Sequence, residues 1–283
     1  MKYLIIPYIL ILLAVVNVSC HRSDTEYIDF YGTKHHFISL ESKEIQLLFS
    51  NKDYDKTSLK KILDLYDSAY ILAARISGEE PSIDSAYREK LTLAVVPDTC
   101  GSGCGKLGMK GIELTEKKFD EVYRLFVDSA KHDHIFFYEL GRNFWFYEAA
   151  FTLPNNSEVE YIRTGFAIFL RNVLINKLKI EVGNINGVPY NQYLENSNIY
   201  WAEFVRNRGG SDLLQDLIDD QSQTYNKPLL WSMYWWNLFV EEKYSLEFLA
   251  KYLNDIRNRK PPESIDDLIL NLTDSYETAT LID

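Results

Sequence analysis

The sequence has no cluster of lysine and arginine residues, and its formal net charge at pH 7 is −11 over 283 residues. Nucleic-acid binding depends on basic side chains that neutralise phosphates, so this composition argues against a nucleic-acid partner. It argues equally against attachment to an anionic membrane through basic residues. Internal repeats, low-complexity tracts and long linkers are also missing, and 46% of the residues are hydrophobic. These features predict an ordinary globular protein with a sizeable core.

The apolar run at residues 4–18 is shorter than the roughly 20 residues that a membrane-spanning helix needs. With Lys2 before it, the run predicts a secretory signal peptide over residues 1–19. The segment NVSC at 17–20 resembles a bacterial lipobox, in which a cysteine becomes lipid-modified. That resemblance implies a lipid at Cys20, attachment to the membrane through it, and a place in the bacterial cell envelope, at the outer membrane. Ordinary signal cleavage near Ser19 and a retained anchor helix are the alternatives.

Cysteine is scarce, since Cys100 and Cys104 are the only cysteines besides Cys20. Export to an oxidising compartment favours a disulfide between these two residues. A cysteine pair for metal is the alternative, but no neighbouring histidine or second cysteine pair completes such a site. The glycine-rich segment 101–111 matches neither common phosphate-binding pattern. We therefore predict a tight turn between two strands there, partly fixed by the disulfide.

Hydrophobic periodicity divides the chain into two kinds of structure. Short β-branched and aromatic runs within 27–50, at 91–96 and at 111–115 predict strands. An amphipathic pattern predicts a helix at 55–78, and the pattern is helical from residue 133 onward. We therefore predict an α+β fold, in which a small mixed sheet with a helix packs on a larger α-helical half.

This pattern also sets the predicted boundaries. Residues 1–19 form the signal peptide, residues 20–128 the α/β part and residues 129–283 the helical part. We expect the two folded parts to form one compact unit.

The segment HDHIFFYELGRNFWFYEAAF at 132–151 resembles the H-E-x-x-H helix of gluzincin metallopeptidases. In that motif, two histidines one helical turn apart bind zinc, and the glutamate activates the metal-bound water. Here Glu139 is retained, whereas Tyr138 and Arg142 stand at the two histidine positions.

A second segment supports the resemblance. Gluzincins carry E-G-F-A or a similar sequence on a following helix, about twenty residues later, and its glutamate is the third zinc ligand. This chain has TGFA at 164–167, and Thr164 lies 22 positions beyond Arg142. The resemblance spans roughly residues 90–260, rests on spacing more than identity, and implies a gluzincin-like fold.

Carried over residue by residue, the resemblance implies that the zinc site is degenerate and that no cofactor or metal is bound. Arginine cannot give up its proton in a protein, so Arg142 cannot ligate a metal. Glu139 and Arg142 are i, i+3 on a helix, close enough for an ion pair. The pair His132 and His134, just before the helix, is the alternative metal site.

Three functions follow from this pattern. In the first, Tyr138, Arg142 and Thr164 line a cleft that binds a peptide or a glycan without zinc catalysis. In the second, Glu139 acts as an acid or base with Arg142 as an electrophilic partner, in a metal-independent hydrolase. In the third, the Glu139–Arg142 pair only joins helices in a structural lipoprotein. We expect the first.

Overall fold

The structure, a computed structural model, describes residues 24–50, 53–83, 89–154, 158–208, 213–219, 226–241 and 245–280. The predicted signal peptide at 1–19 and the lipid site at Cys20 lie outside these residues and stay predictions. Within the described ranges, no helix combines the length and the hydropathy that crossing a membrane requires.

Across the described residues, six strands form one mixed sheet in the order β1-β2-β3-β4-β6-β5. The strands are β1 (Asp24–Ile28), β2 (Lys34–Glu41), β3 (Ile45–Phe49), β4 (Leu91–Val96), β5 (Gly103–Gly105) and β6 (Gly111–Thr115). Strands β3, β4 and β6 run parallel, and the other neighbouring pairs are antiparallel. β3 and β4 are buried along their whole length, as expected of parallel strands covered on both faces.

The helices of the described part are α1 (Lys56–Ser77), α2 (Glu116–Ser129), α3 (Ile135–Asn143), α4 (Glu148–Phe151), α5 (Glu158–Lys177), α6 (Tyr190–Arg208), α7 (Leu213–Asp219), α8 (Lys227–Trp236), α9 (Leu246–Arg257) and α10 (Ile265–Thr280). A five-residue π-helical turn, Asn237–Glu241, continues α8.

Helix α1 connects β3 to β4 and packs against the sheet. The Asp55 side chain accepts a hydrogen bond from the backbone N–H of Ser58, which caps the helix, and Gly78 ends it. Its apolar stripe includes Tyr66, whose ring stacks on Phe136 of α3 with 3.6 Å between the ring centres. The sheet layer thus fixes the position of the helix that carries the YELGR motif.

Helix α5 is the centre of the helical half, with α3 packed on one side and α8 on the other. The indole of Trp235 on α8 meets the ring of Phe166 edge-on, 5.7 Å between ring centres. At the start of α5, buried Glu158 binds Lys227 of α8 at 2.7 Å. The predicted α+β fold is confirmed. The division between residues 128 and 129 stays a prediction.

The segment between β4 and β6 differs from the predicted tight turn. Because β4 and β6 are parallel neighbours, the chain has to travel back along the sheet between them. It does so through β5, which pairs antiparallel with β6 and forms the edge of the sheet. The predicted disulfide between Cys100 and Cys104 is confirmed, with 5.6 Å between the two Cα atoms.

Candidate functional site

Helix α3 carries the YELGR motif and is held between α1 and α5. Its buried face consists mainly of Phe136, Phe137 and Leu140. At Gly141 the helix touches α5, since a Cβ built there would lie 2.7 Å from the Cα of Ala167. Only glycine allows two backbones to approach this closely. The two segments that carry the sequence resemblance therefore lie on helices in direct contact.

Three of the predicted site residues interact on one side of α3. The Nε atom of Arg142 lies 3.7 Å from Glu139 Oε2, so the two side chains form an ion pair. Arg142 Nη2 also donates to the Tyr138 hydroxyl at 3.2 Å, and its guanidinium carbon lies 5.5 Å from the centre of the Tyr138 ring. The Arg142 guanidinium therefore contacts both Tyr138 and Glu139.

Strand β5 closes over the glutamate of this group. The backbone N–H of Gly105 donates to Glu139 Oε2 at 2.7 Å. A Cβ built on Gly105 would lie 2.3 Å from the carbonyl oxygen of Glu139, so a side chain there would force strand and helix apart. Edge-strand N–H groups are the ones an extended peptide would pair with, and this one is already used. Glu139 is 3% exposed.

The surroundings of Glu139 change its acidity. Burial raises the pKa of the Glu139 carboxyl above its ordinary value, while the Arg142 charge and the Gly105 N–H act in the opposite direction. Burial has the larger effect because the carboxylate gives up most of its contact with water. A catalytic base needs contact with substrate or water, and this carboxylate is enclosed by strand and helix.

The residues at the three ligand positions do not fit a zinc ion. Arg142 carries a permanent positive charge and has no lone pair to give to a metal. Thr164 lies half-buried on α5 and forms no hydrogen bond to Tyr138, Glu139 or Arg142. In no part of the chain that the structure describes do three His, Cys, Asp or Glu side chains come together as a metal site.

The same finding corrects the alternative metal site at His132 and His134, because among the described residues no third ligand joins them. The backbone of His132 bonds to the segment after α5, through its N–H to Glu181 and its carbonyl to Gly183. Its ring lies 5.1 Å from the ring of Phe126. His132 therefore anchors the start of α3, and only His134 reaches the cavity described next.

A cavity of about 360 Å³ opens beside Tyr138, and Ile135 on its wall also borders β5 at Gly103. It lies where α3, α5, α6 and α8 meet. Its lining consists of His134, Ile135, Tyr138, Ile168, Arg171, Asn186, Tyr193, Asn226 and Leu229. Tyr138 thus belongs both to the Glu139–Arg142 group and to the wall of the cavity.

Helix α5 supplies the floor of this cavity from the same face that holds Thr164. Ile168 and Arg171 follow Thr164 by four and seven positions, so the three residues lie along one side of the helix. Arg171 is 4% exposed and donates to the Tyr193 hydroxyl at 3.0 Å. Arg171 was not among the predicted site residues, although its spacing from Thr164 puts both residues on the same side of a helix.

Comparison with known proteins supports the fold but assigns no family. No family model matches the sequence, and neither does any curated protein. A solved structure described as a metallopeptidase in complex with Tn antigen matches with a TM-score of 0.52 and 13% sequence identity. The match covers 88% of this chain and 43% of that one, so this chain spans less than half of its neighbour. The chain has a metallopeptidase-like fold.

Proposed function

We propose that this chain is a lipoprotein of the bacterial cell envelope that binds a peptide or a glycan in a metallopeptidase-like cleft without zinc catalysis. The lipid at Cys20 would attach it to the outer membrane. The cleft is the cavity beside Tyr138; of the predicted binding residues only Tyr138 lines it, while Arg142 and Thr164 are not in its lining.

One observation carries this proposal. The carboxylate at the general-base position of the resembled motif is bound by the Gly105 N–H and by Arg142, while an open cavity is lined by the neighbouring Tyr138. A hydrolase would need the reverse arrangement, with the carboxylate reaching the substrate. The volume of about 360 Å³ falls within the usual range for small-ligand sites.

The solved neighbour supports a glycan as one ligand class. Its description names Tn antigen, a glycan, bound to a metallopeptidase of similar fold. In the present chain the cavity walls include Tyr138 and Tyr193, and aromatic rings offer apolar faces to sugar rings. A purely structural role is less well supported, because that role requires no open cavity beside the ion pair.

A Tn-bearing glycopeptide and the same peptide without sugar test the proposal. Calorimetric titration should detect binding of at least one of them by the wild-type protein. Mass spectrometry of the mixtures should find both peptides intact, with or without added zinc. Cleavage that disappears in Glu139→Gln would establish the hydrolase instead, and failure of both peptides to bind would count against the cleft.

The anchor needs a separate test in bacterial cells. Replacing Cys20 with Ala removes the only atom that could carry the lipid, so the protein should leave the membrane fraction. A Cys100→Ser/Cys104→Ser variant is the matched control, because it removes the other two cysteines and should remain with the membrane. Equal membrane retention of Cys20→Ala and wild type would contradict the lipid anchor.

A further inference from the structure

We propose that the cavity beside Tyr138 binds a carboxylate group and that the buried guanidinium of Arg171 is its counter-ion. This inference rests on the proposed function, because it names the charge of the ligand that the same cleft would take.

Arg171 is a buried cation whose hydrogen-bond partners among the described residues are neutral. Its Nε donates to the Asn172 side-chain oxygen at 3.2 Å and its Nη2 to the Tyr193 hydroxyl at 3.0 Å, and both acceptors are neutral. Within the described ranges, no carboxylate forms an ion pair with it. A buried charge is costly unless a group of opposite charge accompanies it. An anionic ligand in the cavity would supply the missing partner.

The contrast with Lys227 shows how this fold treats another buried cation. The Lys227 ammonium lies 2.7 Å from the carboxylate of Glu158, and it also donates to the carbonyl of Ile218 at 2.9 Å. Both cations come from helices that line the cavity, α8 and α5. Lys227 is paired with a buried carboxylate of the protein, whereas Arg171 lines the cavity.

Two helix starts border the cavity, and the N–H of Ile135 already donates to Asp133 and that of Leu229 to the Asn226 side chain. His134 and Ile135 stand at the start of α3, and Asn226 and Leu229 at the start of α8. The first turn of a helix carries partial positive charge from its N–H groups. The carboxylate of Asp133 adjoins α3, but Lys118 holds it at 2.8 Å, so its charge is already compensated.

Two hydroxyls of the lining can donate hydrogen bonds, as a carboxylate requires. The Tyr138 hydroxyl accepts from Arg142 and the Tyr193 hydroxyl accepts from Arg171, so each keeps its own proton to donate. Burial and the Arg171 charge lower the pKa of His134 to about 4, which keeps the ring neutral at pH 7. Within the described part of the chain, its Nδ1 has no hydrogen-bond partner.

A carboxylate is an acceptor only, and charge-assisted bonds from arginine to it are among the strongest polar contacts in proteins. The cavity of about 360 Å³ has room for one acidic residue, either an amino acid or a sugar. The chemistry that Arg171 recognises is the same in both cases. Two matched pairs of probes therefore distinguish the source.

The first pair is N-acetyl-glutamate α-amide and N-acetyl-glutamine α-amide, and the second is methyl glucuronide and methyl glucoside. Calorimetric titration of the full chain should show that the acidic member of one pair binds at least tenfold more tightly than its neutral member. Arg171→Gln should abolish this preference, and Arg171→Lys should keep part of it because it keeps the charge. Lys177→Gln, an exposed change on the same helix, is the control and should keep all of it.

Tyr193→Phe provides a second variant that keeps the ring against the guanidinium and removes one donor. It should weaken acidic binding several-fold and leave neutral binding unchanged. Binding of the Tn glycopeptide with no acid preference in either pair would overturn the carboxylate site and leave the proposed function standing. Binding of neither the peptides nor the acids would overturn both.

Discussion

Two neighbouring regions beside helix α3 treat charge in opposite ways. Toward β5, the Glu139 carboxylate is enclosed and has two partners, the Gly105 N–H and Arg142. Toward α6 and α8, the Arg171 guanidinium is buried, lines an open cavity and has no acidic partner among the described residues. Tyr138 stands between them and contributes to both.

The difference shows which of the two regions is open to a ligand. Around Glu139, protein groups satisfy one another. The cavity keeps a buried guanidinium and two tyrosine hydroxyls that can donate hydrogen bonds. A ligand of the proposed kind would therefore meet the cavity and not the glutamate.

The largest expected effect separates the paired buried cation from the unpaired one. Lys227→Met leaves the Glu158 carboxylate buried without its ammonium partner, so the free energy of unfolding should fall by about 3–5 kcal/mol. Arg171→Gln should cost at most about 1–2 kcal/mol, because removing an unpaired buried charge offsets the hydrogen bonds it loses. Urea unfolding of both variants measures the difference. Equal losses would show that Arg171 is a structural residue.

The Gly105→Ala variant tests the close contact between β5 and α3. The new Cβ is fixed to the strand backbone and would meet the Glu139 carbonyl oxygen, a backbone atom of α3, at 2.3 Å, so neither can easily shift. We expect a loss of about 2–3 kcal/mol in the free energy of unfolding. Gly101→Ala is the matched control, because its Cβ would lie 3.8 Å from its nearest neighbour. It should change stability by less than about 0.5 kcal/mol, and a similar loss in both variants would contradict the tight β5–α3 contact.

A smaller effect is expected in the pH dependence of stability. The folded-state pKa of Glu139 is raised, so the folded protein holds this proton more tightly than the unfolded chain. Stability should therefore fall as pH rises from the ordinary carboxyl pKa through the folded-state value. Glu139→Gln removes this slope, so the stability curves of wild type and variant should diverge as pH rises toward neutral. Parallel curves would show that burial leaves the acidity of Glu139 unchanged.

Sequence patterns predicted most of the elements. The apolar runs located β3 and β4, and the stripe of α1 followed helical spacing. The interval of 22 positions between Arg142 and Thr164 linked the two motif segments by resemblance, and the close approach of Gly141 to Ala167 shows that their helices touch. The expected export to an oxidising compartment predicted the disulfide between Cys100 and Cys104.

Other features depend on contacts between distant parts of the chain and left no local signal. Strand β5 consists of Gly-Cys-Gly, which has little strand preference of its own, and only pairing with β6 makes it a strand. The cavity needs Tyr193 from α6 and Asn226 at the start of α8. Periodicity shows that such helices exist, but it does not show which of their ends meet.

The zinc content of the purified protein tests the central claim most directly. The chain would be incubated with excess zinc, passed through a desalting column and analysed by mass spectrometry for metal. Arg142 stands where the resembled motif has a zinc-binding histidine, and Glu139 is bound by the Gly105 N–H. We therefore predict far less than one zinc per chain. One tightly bound zinc per chain, lost on replacing Glu139 or Tyr138, would contradict the account.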